Sequence, residues 1–328
     1  MEFDMKAVVL TTYGDPANSL ECRELPELER PGRTQALIGV EYAPVNFSDI
    51  LVAKGLYELR PALPSVIGNE GIGHVLEIGG QVSNVKVGDR VALPIGSFTW
   101  RERMLVESER LIVLPGGADP QQLSMVSINP PTACLLLESF VDLEQGDWIA
   151  INAANSAIAR WLIGFARRKK VKTIGLVRRA EVIDEVLDAG CDQVLLDDED
   201  APLGASRTIE RSRIRLALDG VSGAASGRLA RLLGDRGTFV SYAAPTYSPL
   251  TISPFEVIFH DLTVKGFSIG NPKFGNRIVT AIEESASMIA EHEVTVPVAG
   301  MYPLEEIGAA IGHYERGGKI LLKMEGSS

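Results

Sequence analysis

The sequence predicts an α/β protein in two parts: a β-rich domain rolled like a small barrel, and a doubly wound parallel sheet covered by helices. Three observations carry this expectation. Up to about residue 114, short apolar runs alternate with polar residues and stop at Gly, Pro and Asp turns, the period of half-buried strands. Beyond residue 141 the apolar runs become continuous and alternate with amphipathic helical stretches, as they do when helices cover both faces of a parallel sheet. The chain is long enough for both, since 328 residues with 45% hydrophobic side chains can fill the cores of two ordinary domains.

In chain order, the first region is assigned strands at 7–10, 35–42, 71–78, 90–93 and 111–114. Gly79-Gly80 and the Lys86 to Asp89 segment supply the tight corners that a rolled sheet needs. The middle region is assigned strands at 148–152, 173–177, 193–196, 215–218 and 238–242, with helices at 157–168, 181–189 and 224–233 between them. Next come a strand at 262–269 and a helix over 276–291 whose Ile278, Val279, Ile282 and Ile289 share one face. The last β patterns, 296–302 and 319–324, flank a short helix at 304–313 and most economically rejoin the first region. Residues 1–123 and 272–328 are therefore expected to form one domain, with a nucleotide domain, 124–271, inserted into it.

The bulk chemistry excludes several classes. A formal net charge of −11 and a pI near 5.0 argue against a surface built for phosphate backbones, so no nucleic-acid partner is expected. Cys22, Cys134 and Cys191 are distant and odd in number, which fits a reducing compartment. The start of the chain has neither an apolar signal core nor an Arg-rich amphipathic presequence, and the expectation is a cytoplasmic protein. No apolar run reaches the length of a bilayer span, so no membrane is expected either.

Nucleotide chemistry enters at the first strand of the middle region. That strand ends at Asn152 and runs into Ala153-Ala154-Asn155-Ser156-Ala157-Ile158-Ala159, which opens a helix. Small residues let backbone N–H groups approach a pyrophosphate there, and Ser156 can cap the helix. The G-x-G-x-x-G fingerprint is absent, with Ala157 and Ala159 at the glycine positions, so an ordinary strand-to-helix turn stays open as a reading. The second strand ends in Arg178-Arg179 where an NAD enzyme would carry an acid for the ribose hydroxyl; paired arginines favour the 2′-phosphate of NADPH, although surface arginines at a helix start are common.

A set of short motifs then brings a family into view: Asn46-Phe47-Ser48-Asp49, Gly55-Leu56-Tyr57, Gly68-Asn69-Glu70-Gly71, Thr99-Trp100-Arg101, the Asn129 to Ala133 segment, Asn152 to Ser156, Val177-Arg178 and Lys319-Ile320-Leu321. In their order and spacing over nearly the whole chain they resemble the medium-chain dehydrogenase/reductase superfamily. Within it the chain is most similar to the mitochondrial-type trans-2-enoyl thioester reductases, and next to the quinone oxidoreductases. The resemblance implies a GroES-like catalytic domain beside a Rossmann domain, NADPH as cofactor, and a homodimer paired through the 262–269 strand. It implies Tyr57 as proton donor; read alone, a Tyr in a Gly-flanked loop is more simply a packing aromatic. It places cofactor contacts on Asn129, Asn155, Ser156, Ala157, Ile158, Arg178, Arg179, Tyr242, Ala243, Phe267, Ile269 and Lys319.

The same resemblance bears on metals. Zinc-dependent members place Cys where Asn46 stands and His where Asn69 stands, and His74, His260, His292 and His313 are scattered, so no metal is expected. Departures from the reductase pattern fall at Ala157, Ala159, Ala243 and Ala244 in place of Gly, at Arg179 in place of an acid, and at Ser268 in place of an aromatic. Trp100 reads as a stacking surface or as core, and Arg60, Lys273 and Arg277 as groups that could meet a substrate phosphate or, more simply, as solvated charges. Three functions follow: an NADPH-dependent reductase of 2-enoyl thioesters on CoA or carrier protein, an NADPH quinone or enone reductase, or a nucleotide-binding protein without catalysis.

Overall fold

The structure, a computed structural model, describes residues 5–198 and 209–324. Two compact units divide it: one takes the chain up to Ile128 and from Val279 onward, the other Asn129–Ile278. Both halves of the expected fold class are present, one unit built on antiparallel strands and the other on a parallel sheet.

The first unit hangs on one long strand, Gln35–Val45, which pairs antiparallel with Ile72–Ile78, with Arg103–Glu107 and with Lys319–Lys323. Ala36, Ile38 and Val40 alternate along it and are fully buried, the signature of a strand with one face on a core. Two register shifts along the Ile72–Ile78 pairing bend the sheet. Lys319–Lys323 also pairs with Val298–Tyr302, so the C-terminal β pattern is stitched onto the strand that the N-terminal sequence makes. A second sheet sets Met5–Leu10 between Leu20–Leu25 and Ser65–Val66. Leu20–Leu25 and Arg103–Glu107 escape the sequence reading because charged residues interrupt them, Glu21, Arg23 and Glu24 in the first. Trp100 is wholly buried in the core and donates from its indole N–H to the Pro44 carbonyl at 3.3 Å, which makes it a packing residue.

The second unit carries six parallel strands: Trp148–Ile151, Lys172–Val177, Gln193–Leu196, Ile214–Asp219, Thr238–Ser241 and Thr263–Gly266. Numbered along the chain, their order across the sheet is 3-2-1-4-5-6, so the winding reverses at the first strand. Helix Ala157–Arg168 follows that strand and buries Ala159, Trp161, Leu162, Ile163, Phe165 and Ala166 on one side. Its two terminal arginines, Arg167 and Arg168, suit the negative end of the helix. Helix 181–189 is shorter than its pattern suggests, a 3-10 turn at Ala180–Val182 leading into Ile183–Asp188. Helix Asn129–Glu138 and helix Phe47–Ala53, in the other unit, have no counterpart in the sequence reading; the first is apolar all round, which hides the helical period. The sixth strand lies at the sheet edge with all four residues exposed.

Candidate active site

Parallel topology delivers the expected cofactor residues of the second unit to one edge of its sheet. Asn155, Ser156, Ala157 and Ile158 follow the first strand, Arg178 and Arg179 the second, Tyr242 and Ala243 the fifth, and Phe267 and Ile269 the sixth. Each set leaves the carboxyl end of its strand, where ligands of doubly wound sheets collect. Asn129 opens helix Asn129–Glu138. Ser156 caps helix Ala157–Arg168, its hydroxyl accepting from the Ala159 N–H at 3.4 Å, while the N–H groups of the first turn have no acceptor within the helix. Of the two alanines at the glycine positions, Ala159 is fully buried against the unit's interior and Ala157 is half-buried.

The chemistry of these donors fits a phosphorylated dinucleotide. Arg178 and Arg179 are exposed side by side, and among the described residues neither forms an ion pair, in a chain of net charge −11. At the carboxyl ends of the first and fourth strands, the fully buried Asp219 fixes the backbone: it takes Asn152 Nδ2 at 2.6 Å, Ser222 N at 3.0 Å and Ser226 Oγ at 2.8 Å, while Asn152 Oδ1 accepts from Gly220 N at 2.8 Å. Burial and the Asp219 carboxylate push the Tyr242 phenol above its ordinary range, so it stays a neutral hydrogen-bonding group. Phe267 sits edge-on to Phe140 at 6.3 Å and against Phe274 at 5.3 Å, which fixes the ring at the start of the segment leading to Ile269. Two cavities of this unit, about 670 Å³ beside Arg211 and Asp235 and about 430 Å³ beside Gln145 and Asp192, lie at the opposite, amino ends of the strands.

The first unit places its chemistry in a buried polar cluster. Asn46 precedes helix Phe47–Ala53, and the Asp49 carboxylate reaches back to its N–H at 2.8 Å, half of a capping box. The other Asp49 oxygen accepts from Asn69 N at 2.9 Å, and Asn69 Nδ2 donates to Ser48 Oγ at 3.0 Å. Asn46 Nδ2 donates to Glu70 at 2.7 Å, while its Oδ1 accepts from the Lys319 ammonium. The turn that carries Asn69 and Glu70 needs Gly68, whose φ is +110° and where a side chain would overlap the Trp100 indole. Burial pushes Asp49 up to about 7 and raises Glu70, and it lowers Lys319 against the pull of both carboxylates. The side-chain amides at 46 and 69 are thus committed to hydrogen bonds with their neighbours.

Tyr57 stands near this cluster. Its backbone N–H closes the turn after helix Phe47–Ala53 onto the Leu51 carbonyl at 3.2 Å, and the half-buried ring packs on the core. Burial and the Asp49 charge hold the phenol above its ordinary value, and among the described residues its hydroxyl makes no hydrogen bond. Lys319 and Tyr57 therefore feel the same carboxylate.

Comparison with known proteins settles the family. The profile of the alcohol dehydrogenase GroES-like domain matches residues 32–115. The mitochondrial enoyl-[acyl-carrier-protein] reductase of Mus musculus is 34% identical over 316 residues, covering 92% of this chain and 83% of its own. The chain belongs to that reductase family. Among solved structures, the complex of Etr1p with NADP and crotonyl-CoA superposes with a TM-score of 0.90 at 24% identity, covering 98% of this chain and all of its own. The Escherichia coli quinone oxidoreductase bound to NADPH gives 0.85 at 24% identity, covering 97% of this chain and 99% of its own, so the fold is common to both branches.

Family membership also corrects one expectation. The reductase relatives are mitochondrial, which overturns the cytoplasmic assignment. The absence of a disulfide among the three cysteines does not distinguish one reducing compartment from another. No helix among the described residues is long and apolar enough to cross a membrane. Of the other side chains weighed in the sequence, Arg277 is held by Glu138 at 2.9 and 3.0 Å and Lys273 lies over the Phe274 ring at 4.6 Å, so both have structural partners. The residues that sequence reasoning missed are Asp49, Glu70 and Asp219. Glu70, an acid between two glycine turns, was visible in the Gly68 to Gly71 motif; Asp219 sits at the end of an apolar strand, where its only signal is a charge in a buried position.

Proposed function

We propose that the protein reduces the C=C bond of 2-enoyl thioesters, carried on CoA or on acyl carrier protein, with NADPH. The observation that carries this reading is the Tyr57 phenol: half-buried, held protonated by burial and Asp49, and without a hydrogen-bond partner among the described residues. NADPH, when bound, supplies a hydride to the β-carbon of the substrate, and the C=C electron pair moves toward the thioester oxygen as an enolate. Tyr57 then gives its proton to the α-carbon, and solvent reprotonates the phenolate. A neutral phenol also stabilises the oxyanion as it forms. Asn155, Ser156, Ala157 and Ile158 would hold the pyrophosphate at the helix start, Arg178 and Arg179 the 2′-phosphate, and Asn129, Tyr242, Ala243, Phe267, Ile269 and Lys319 the remainder of the cofactor. Segments 1–123 and 272–328 would serve as the substrate domain and 124–271 as the nucleotide domain.

The assay is direct. Purified protein with crotonyl-CoA should oxidise NADPH, with NADH a poor substitute; oxidation with quinones or simple enones alone would overturn the thioester reading in favour of a quinone or enone reductase. One observation favours that second reading, the exposed Ser268 where the resembling reductases carry an aromatic, which leaves the edge near Phe267 open and wet.

A homodimer accompanies the proposal. Strand Thr263–Gly266 offers an exposed edge next to helix Pro254–Phe259, whose Phe255, Ile258 and Phe259 are exposed and whose two Phe rings stack at 5.8 Å. Antiparallel pairing with a second copy about a two-fold axis would cover both. A monomeric mass by light scattering would overturn it, and Val264→Pro should shift a dimer toward monomer.

A further inference from the structure

Glu70 is wholly buried, and the proposed reaction does not use it. Both of its oxygens are occupied. One accepts from Asn46 Nδ2 at 2.7 Å; the other accepts from the backbone N–H groups of Ser127 at 3.1 Å and Ile128 at 3.0 Å. Asn46 is oriented without ambiguity as a result, with its NH₂ facing a carboxylate and its carbonyl facing the Lys319 ammonium. Ser127 and Ile128 lead directly into Asn129. A single carboxylate therefore sets both Lys319, through Asn46, and the Ser127–Ile128 backbone.

We infer that Glu70 is a positioning residue for the nicotinamide dinucleotide, holding Lys319, through Asn46, and the Ser127–Ile128 backbone in one prearranged network. The inference rests on the NADPH reading above and deepens it. A buried acid is costly unless charge and hydrogen bonds offset its lost hydration. Here the Lys319 ammonium and three N–H donors do so, and the same contacts hold the groups that would meet the cofactor. The groups facing Lys319 are the carboxylates of Glu70 and Asp49 and the amide of Asn46.

Glu70→Gln exposes this arrangement, because an amide cannot accept on both ends. If its NH₂ faces Asn46, that amide must turn and present a donor to Lys319; if it faces Ser127 and Ile128, donor meets donor and the segment before Asn129 must move. In either case NADPH binding, followed by cofactor fluorescence without acyl substrate, should weaken about tenfold or more, the scale of losing a hydrogen bond to a charged group. The weakening should grow as pH rises toward the ordinary lysine range, since Lys319, already lowered by burial, loses the stronger of its two counter-charges. Glu70→Asp keeps the charge and should restore a flat pH profile. Ile38→Ala, a core variant outside the network, serves as the stability control and should lower the melting temperature without changing the binding profile. Glu70→Gln that binds NADPH like wild type at every pH, or an Ile38→Ala effect on binding equal to it, would overturn the inference. The failures separate cleanly: wild type that binds NADPH but reduces no 2-enoyl thioester sinks the thioester reading alone, while the Glu70 titration still decides. Wild type that binds no NADPH sinks both.

Discussion

The carboxyl edge of the parallel sheet and the polar core of the antiparallel unit assemble their residues by different means. At the sheet edge, topology does the gathering: any residue just beyond a strand arrives at the same edge, whatever its neighbours are. In the antiparallel unit, Asn46, Asp49, Asn69, Glu70 and Lys319 come together only because each satisfies another's buried charge or amide. The first kind of site depends little on side-chain identity, since strand ends gather whatever residues follow them. The second depends on it, because removing one member leaves another desolvated and unpaired.

The largest effect tests whether the antiparallel unit holds the reactive group. Tyr57→Phe should cut kcat with crotonyl-CoA by roughly a hundredfold or more, the usual contribution of a positioned acid, with KM for NADPH nearly unchanged. Unchanged turnover would leave Tyr57 as packing only. Next, Arg178→Ala with Arg179→Ala should raise KM for NADPH by about tenfold or more while leaving KM for NADH close to its starting value, since only one of the two cofactors carries the extra phosphate. An equal rise for both would mean that the arginines do not read that phosphate.

A smaller effect concerns Asp49. Its carboxyl, raised to about 7 from an ordinary 3.8, contributes stability that is fully present below the unfolded value and is lost as pH rises from about 4 through about 7. Asp49→Asn forfeits one of two backbone acceptors, a loss of about 1–3 kcal/mol. It also removes that slope, so the gap between variant and wild type in urea melts should shrink as pH climbs from 4 to 7. Parallel profiles would show that the carboxyl is not held up by burial. Smallest of all, Ala159→Gly should cost about 0.5–1 kcal/mol of stability with NADPH affinity unchanged, since the methyl it removes packs inward. Tighter NADPH binding by that variant would instead place the Ala159 methyl in the cofactor's way.

What was legible in the sequence follows the same division. The parallel strands and helix Ala157–Arg168 stand out because continuous apolar runs and a 3.6-residue period are local signals, and the strand at Gln193–Leu196 falls where its run predicts. Leu20–Leu25 was illegible because a strand on a small outer sheet need bury little, and its charges break the pattern. Helix Asn129–Glu138 was hidden by apolar residues on every face and by the Pro pair in its first turn, which reads as a breaker but is tolerated there. The cofactor residues at strand ends could be listed from motif resemblance, whereas no periodicity announces that Glu70 reaches Asn46 and Ile128 at once. That contact depends on long-range closure of the antiparallel unit.

The inward-turned Ala159 has one more consequence. The first turn of its helix offers bare peptide amides outward even though no glycine occupies it, so an anion-ready surface has been written in a different alphabet from the usual fingerprint. Genome scans that demand three glycines between strand and helix will discard chains of this kind, and searches built on where the methyl groups point would recover them.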